Sequence, residues 1–103
     1  MSTRLELLKR YLIEEPTDSF LLYALALEFI ALNDHTKAII ELEKLLLSDP
    51  EYLPAYYMAG KSCEVLTEFE KAKEWYSKGI ELARLKKDMH TLGELSFALD
   101  NLE

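Results

Sequence analysis

Residues 21–50 read LLYALALEFIALNDHTKAIIELEKLLLSDP, and residues 55–84 read AYYMAGKSCEVLTEFEKAKEWYSKGIELAR. Laid over one another at an offset of 34 residues, the two stretches pair like with like: Leu22 with Tyr56, Tyr23 with Tyr57, Ala26 with Gly60, Phe29 with Cys63, Leu32 with Leu66, Ala38 with Ala72 and Leu42 with Tyr76. Recurrence at that spacing marks a helical repeat array. A unit of this length forms one helix-turn-helix that cannot bury its own apolar face, so copies stack, and the stack presents a curved surface suited to binding.

The residue types follow from helix packing. Ala26, Gly60, Ala38 and Ala72 are small where the two helices of a hairpin approach most closely, and Phe29, Leu42 and Tyr76 fill the space that opens one turn away. Pro50, after Ser48 and Asp49, lacks the amide hydrogen that would extend a helix and biases Asp49 away from helical geometry. The first unit therefore stops near Leu47, and Pro16 does the same to the opening segment.

In both units the residues resemble the tetratricopeptide repeat family, and the chain is similar to a small bacterial-type domain of it. The family pattern is a large aromatic, a leucine and small residue, a second aromatic, an alanine, a third aromatic and a closing proline. The first unit supplies Leu22, Leu25, Ala26, Phe29, Ala38, Leu42 and Pro50; the second supplies Tyr56, Ala59, Gly60, Cys63, Ala72 and Tyr76. Arg84 stands where the second closing proline would fall, so that unit is expected to run on or end differently. The resemblance implies an all-α superhelix of six antiparallel helices in one domain, 1–103. It comprises a half-repeat helix (1–16), two repeats (17–50 and 51–86) and a capping helix (87–103).

Periodicity and helix breakers predict helices over 3–14, 18–32, 35–48, 52–66, 69–83 and 88–102, and no strand. Asp18 and Asp34 are placed to cap the free amides of a first turn. Asn33 occupies the family's glycine position, and asparagine tolerates a left-handed turn better than most residues. Thr67, its counterpart, either takes that conformation at a cost, being β-branched, or opens the Thr67-Glu68-Phe69-Glu70 stretch as a capping box. Leu5, Leu8 and Leu12 form an apolar stripe on the opening helix. Met89, Leu92, Leu95, Leu99 and Leu102 form another on the last, which reads as a cap.

One helix differs from the rest. Between Ser19 and Leu32 the only charge is Glu28, and Phe20 to Leu32 is apolar all round. Thirteen residues with a charge inside are too few to span a bilayer. In the family pattern Leu22, Leu25, Ala26 and Phe29 face the core. Phe20, Tyr23, Leu27 and Ile30 are left for the opening helix to cover, for a partner, or for a second copy of the chain.

With 103 residues, 50% hydrophobic and 30% charged, the chain is long enough to bury roughly 60 to 65% of its unfolded surface without disulfides or metal. Nineteen acidic against twelve basic residues, a net charge of −7, disfavour nucleic acid and anionic lipid. Pairs such as Glu6 with Arg10 and Glu74 with Lys78 are spaced to form solvated ion pairs, and Arg84, Lys86 and Lys87 suit a helix C-terminus. Cys63 sits at a core position, where a buried thiol is unreactive. His35 is expected to pack partly against its hairpin, and His90 lies in a first turn. The two histidines have no ligand spacing for a metal, and there is no phosphate loop or nucleophile elbow. No enzyme, cofactor or metal site is therefore expected. The lone cysteine and the absence of a signal-like start lead to an expectation of the cytoplasm.

The expected activity is protein binding. The resemblance implies a groove lined by the first helix of each hairpin: Phe20, Tyr23, Leu27 and Ile30, then Tyr57, Lys61 and Glu64, then Thr91 and Leu95. Relatives that clamp the C-terminal carboxylate of chaperones use lysines, asparagines and arginine there. Tyr23, Leu27 and Asp88 stand in this chain instead, so that specificity is not carried over. A homodimer through the apolar helix is the alternative.

Overall fold

The computed structural model describes residues 3–102; residues 1, 2 and 103 of the terminal segments lie outside the described residues. Six helices follow in order, α1 Thr3–Glu14, α2 Ser19–Ala31, α3 His35–Ser48, α4 Leu53–Val65, α5 Phe69–Leu85 and α6 Met89–Asp100, with no strand among the described residues. The expected helices are all present. The largest extension is at α5, which runs on to Leu85 through the point where Arg84 replaces a closing proline.

The chain divides into two compact units, one ending at Tyr52 and the other beginning at Leu53. In the first, α1 packs on α2 and α2 on α3. Leu8 of α1, Leu22, Leu25, Ala26 and Phe29 of α2, and Ala38, Leu42 and Leu45 of α3 are buried. Ala26 and Ala38 have no exposed surface, as expected of residues where paired helices approach most closely. The turns at Pro16 and Pro50 are built alike: the Asp18 amide donates to the Glu15 carbonyl at 3.2 Å, and the Tyr52 amide to the Asp49 carbonyl at 3.1 Å.

In the second unit α4 packs on α5 and α5 on α6. Tyr76 fills the interior against Gly60, where an added methyl would overlap its ring. Gly79 is a second notch. A Cβ there would lie 2.9 Å from both Tyr56 Cβ and Leu95 Cδ1, so α5 admits Leu95 of α6 only because position 79 has no side chain.

Asn33, Thr67 and Lys87 close the α2–α3, α4–α5 and α5–α6 turns in the left-handed region, with φ of 63°, 58° and 57°. Each turn repeats one hydrogen-bond pair. The Asp34 amide donates to the Phe29 carbonyl, Glu68 to Cys63 and Asp88 to Ala83, while Asn33 donates to Ile30, Thr67 to Glu64 and Lys87 to Arg84. This is a helix end closed by a left-handed residue, here three times without glycine. The capping-box alternative for Thr67 is thereby excluded: Glu68 is the N-cap of α5 and makes no side-chain cap bond. Asp18 and Asp34 do cap, accepting from the Leu21 amide at 2.9 Å and the Lys37 amide at 3.1 Å.

Two surface expectations are corrected. Lys78 lies over the Trp75 ring, 5.2 Å from its centroid, rather than pairing with Glu74. Met89 is 58% exposed and so does not belong to the inward stripe of α6. That helix turns Leu95 and Ala98 inward, with Leu92 and Leu99 half-buried beside them. The Gly79 notch sets this rotation by receiving Leu95.

Candidate functional site

Positions 20, 23, 27 and 30 fall on one side of α2, opposite the buried Leu22, Leu25 and Phe29. Phe20 is 69% and Leu27 38% exposed; Tyr23 and Ile30 are half-buried. The opening helix does not cover them. It lies around the flank of α2: Leu12 and Ile13 share a cleft with Leu22, Leu25 and Phe29, and Arg4 Nε reaches Glu28 Oε1 at 3.3 Å. The one charge in the helix is thus drawn toward α1, and the face formed by Phe20, Tyr23, Leu27 and Ile30 carries none.

At the N-terminal end of that face Tyr23 meets Tyr52, ring centroids 5.2 Å apart. Around them stand Asp18, bound to the Leu21 amide, and Asp49, whose Oδ2 accepts from the Ser19 hydroxyl at 2.8 Å. Burial raises the pKa of Tyr23, with Tyr52 adding to it. Burial likewise raises that of Tyr52, followed by the negative charge of Asp49 and Asp18. Both phenols are neutral donors at physiological pH. Tyr52 lies in a turn, outside the helical periodicity that points to the other site residues; an aromatic two residues after Pro50 is the signal the sequence carries for it.

The corresponding face of α4 is polar. Tyr57, Lys61 and Glu64 are half-buried, and Lys61 Nζ lies 5.5 Å from the centroid of the Tyr57 ring. Glu64 accepts a short hydrogen bond from the Tyr76 hydroxyl, and Tyr57 packs near the Tyr76 ring at 6.2 Å. Burial, then the bond to Glu64, pushes the Tyr76 pKa far above its ordinary value. Glu64 is therefore tied to the interior of its own unit, while Lys61 and Tyr57 form a cation–aromatic pair at the surface.

The model of the tetratricopeptide repeat matches residues 21–52 and, directly after them, 53–84. The chain belongs to the tetratricopeptide repeat family. A tetratricopeptide repeat domain protein from Salinibacter ruber, solved by NMR, is 37% identical, superposes with a TM-score of 0.76, and is matched over 82% of this chain and 85% of its own. A Bordetella parapertussis protein, 22% identical, shares the fold with a TM-score of 0.84 over 97% of this chain and 87% of its own. The first repeat domain of Spaghetti (RPAP3), solved bound to an HSP90 peptide, is 20% identical, with a TM-score of 0.74 over 94% of this chain and 78% of its own. Comparison with curated protein sequences gives no match.

Within this tetratricopeptide repeat chain, α6 does not bring Leu95 to the expected groove. Leu95 is wholly buried against Gly79. Thr91 is half-buried and engaged by the Asp88 cap, which accepts from its amide at 3.0 Å and from its hydroxyl at 2.9 Å. Those two bonds hold the Asp88 carboxyl below its usual range. Cys63 is buried, as its repeat position implied, and His35 is half-buried. Exposed His90 pairs with Glu94 at 3.4 Å. Among the described residues no three His, Cys, Asp or Glu side chains gather as a metal site would need, and no helix is long and apolar enough to cross a membrane.

Proposed function

We propose that this tetratricopeptide repeat chain is a protein-interaction module that binds a peptide or protein along the first helices of its hairpins. Phe20, Tyr23, Leu27 and Ile30 of α2 are the apolar contact, and Tyr57 and Lys61 of α4 offer a contact of their own. The carrying observation is the uncharged, partly exposed face of α2, left open by α1. Large apolar side chains grouped on one helix face mark interaction surfaces. The RPAP3 domain bound to an HSP90 peptide supports this kind of activity.

The partner we infer is apolar with basic flanks. Asp18 and Asp49 border the Tyr23–Tyr52 pair, and the chain carries a net charge of −7. Titration of labelled protein with an apolar, lysine-bearing peptide tests it. Amide signals of residues 20–31 and 57–64 are expected to shift, and Leu27→Lys to abolish the response while helical circular dichroism is kept. Shifts confined to other helices, or an unchanged response in Leu27→Lys, would refute the assignment.

A further inference from the structure

The outer face of α6 has a feature that packing within the chain does not account for. Gly93 lies in the middle of the helix, and nothing approaches within 4 Å of where its Cβ would stand. Gly60 and Gly79, by contrast, are demanded by Tyr76, Tyr56 and Leu95. A glycine inside a helix lowers its stability relative to alanine, so in an open position it gives the isolated chain nothing in return. One turn to either side stand Met89 and Phe97, 58% and 70% exposed. An apolar pair centred on a glycine is the surface that a second helix needs for close approach.

We propose that α6 is a homodimer interface in which two copies cross antiparallel at Gly93. The spacing favours a second copy over a foreign helix because the surface is complementary to itself. Met89 and Phe97 each lie four residues from Gly93, so a two-fold axis there places Met89 of each copy against Phe97 of the other. The same axis brings the His90–Glu94 pairs of the two copies alongside each other on one flank, imidazole beside carboxylate. Antiparallel helices also set opposite dipole ends together. The contact is isologous and closes as a dimer. It is independent of the α2 surface and stands whether or not that surface binds a peptide.

Sedimentation equilibrium over a concentration series tests the dimer, with an expected limiting mass of twice 11.9 kDa. Gly93→Leu and Phe97→Glu change exposed positions, so both are expected to stay helical by circular dichroism and to be monomeric. Gly93→Cys on a Cys63→Ala background is expected to oxidise readily to a covalent dimer, since crossing at residue 93 brings the two Cα atoms within disulfide reach. A wild-type monomer throughout the series overturns the proposal. So does a dimer that persists in both Gly93→Leu and Phe97→Glu, or one lost only in Leu27→Lys, which would place the contact on α2.

Discussion

Thr67 holds a φ of 58°, a conformation that strains most L-residues by about 1–2 kcal/mol, asparagine less and achiral glycine not at all. Its hydroxyl donates to the Leu66 carbonyl at 2.6 Å, offsetting a little of that cost. Thr67→Gly is therefore expected to stabilise the chain by about 1 kcal/mol, visible as a higher melting temperature. Asn33→Thr, at the equivalent turn, is expected to lower it. Gly60→Ala works in the opposite direction, forcing a methyl into the Tyr76 ring at a cost of about 1–3 kcal/mol in urea unfolding. Tyr76 also fixes an alkaline limit. Its pKa is raised in the folded state by burial and by Glu64, so its stabilising contribution is complete below the unfolded value near 10 and is lost as pH rises beyond it. Stability should fall above that pH, and less steeply in Tyr76→Phe.

At the scale of the helix, the acid end of the profile belongs to α6. Asp88 caps it through two bonds to Thr91, and its folded pKa is depressed. That contribution is present above the ordinary aspartate value and is lost as pH falls through the lower folded one. Asp88→Asn keeps a capping oxygen but loses the charge, so the variant should be slightly less stable at neutral pH and should lose less of its stability on acidification, as urea unfolding at a series of pH values would show. The same helix shows where a candidate site was hard to read. The α2 face was legible because an all-apolar helix has more apolar surface than one core can take. In α6, Met89, Leu92, Leu95 and Leu99 keep helical spacing whichever side turns inward. The choice is made by the notch at Gly79, outside the matched signature positions. Hence Leu95, which the family pattern assigns to the groove, is core, while Phe97 is at the surface. Tyr52 is hard to read for a related reason: a turn residue has no periodicity, and only its packing on Tyr23 gives it a role.

At the scale of the whole chain, the 34-residue recurrence made the helix order legible, because each repeat position carries one packing demand and shows it twice. What a recurrence cannot convey is the sign and placement of charge, which differ between equivalent faces: Leu27 and Ile30 on α2 become Lys61 and Glu64 on α4. The net charge of −7 then yields a prediction with two opposite arms. Added salt screens self-repulsion in the folded chain, so thermal stability should rise with ionic strength. The same screening weakens attraction to a lysine-bearing peptide, so its Kd should rise over the same salt range. Melting and peptide titration in matched buffers separate the effects. If Kd is unchanged or falls with salt while stability rises, recognition rests on the apolar face of α2 alone and the preference for a basic partner is wrong.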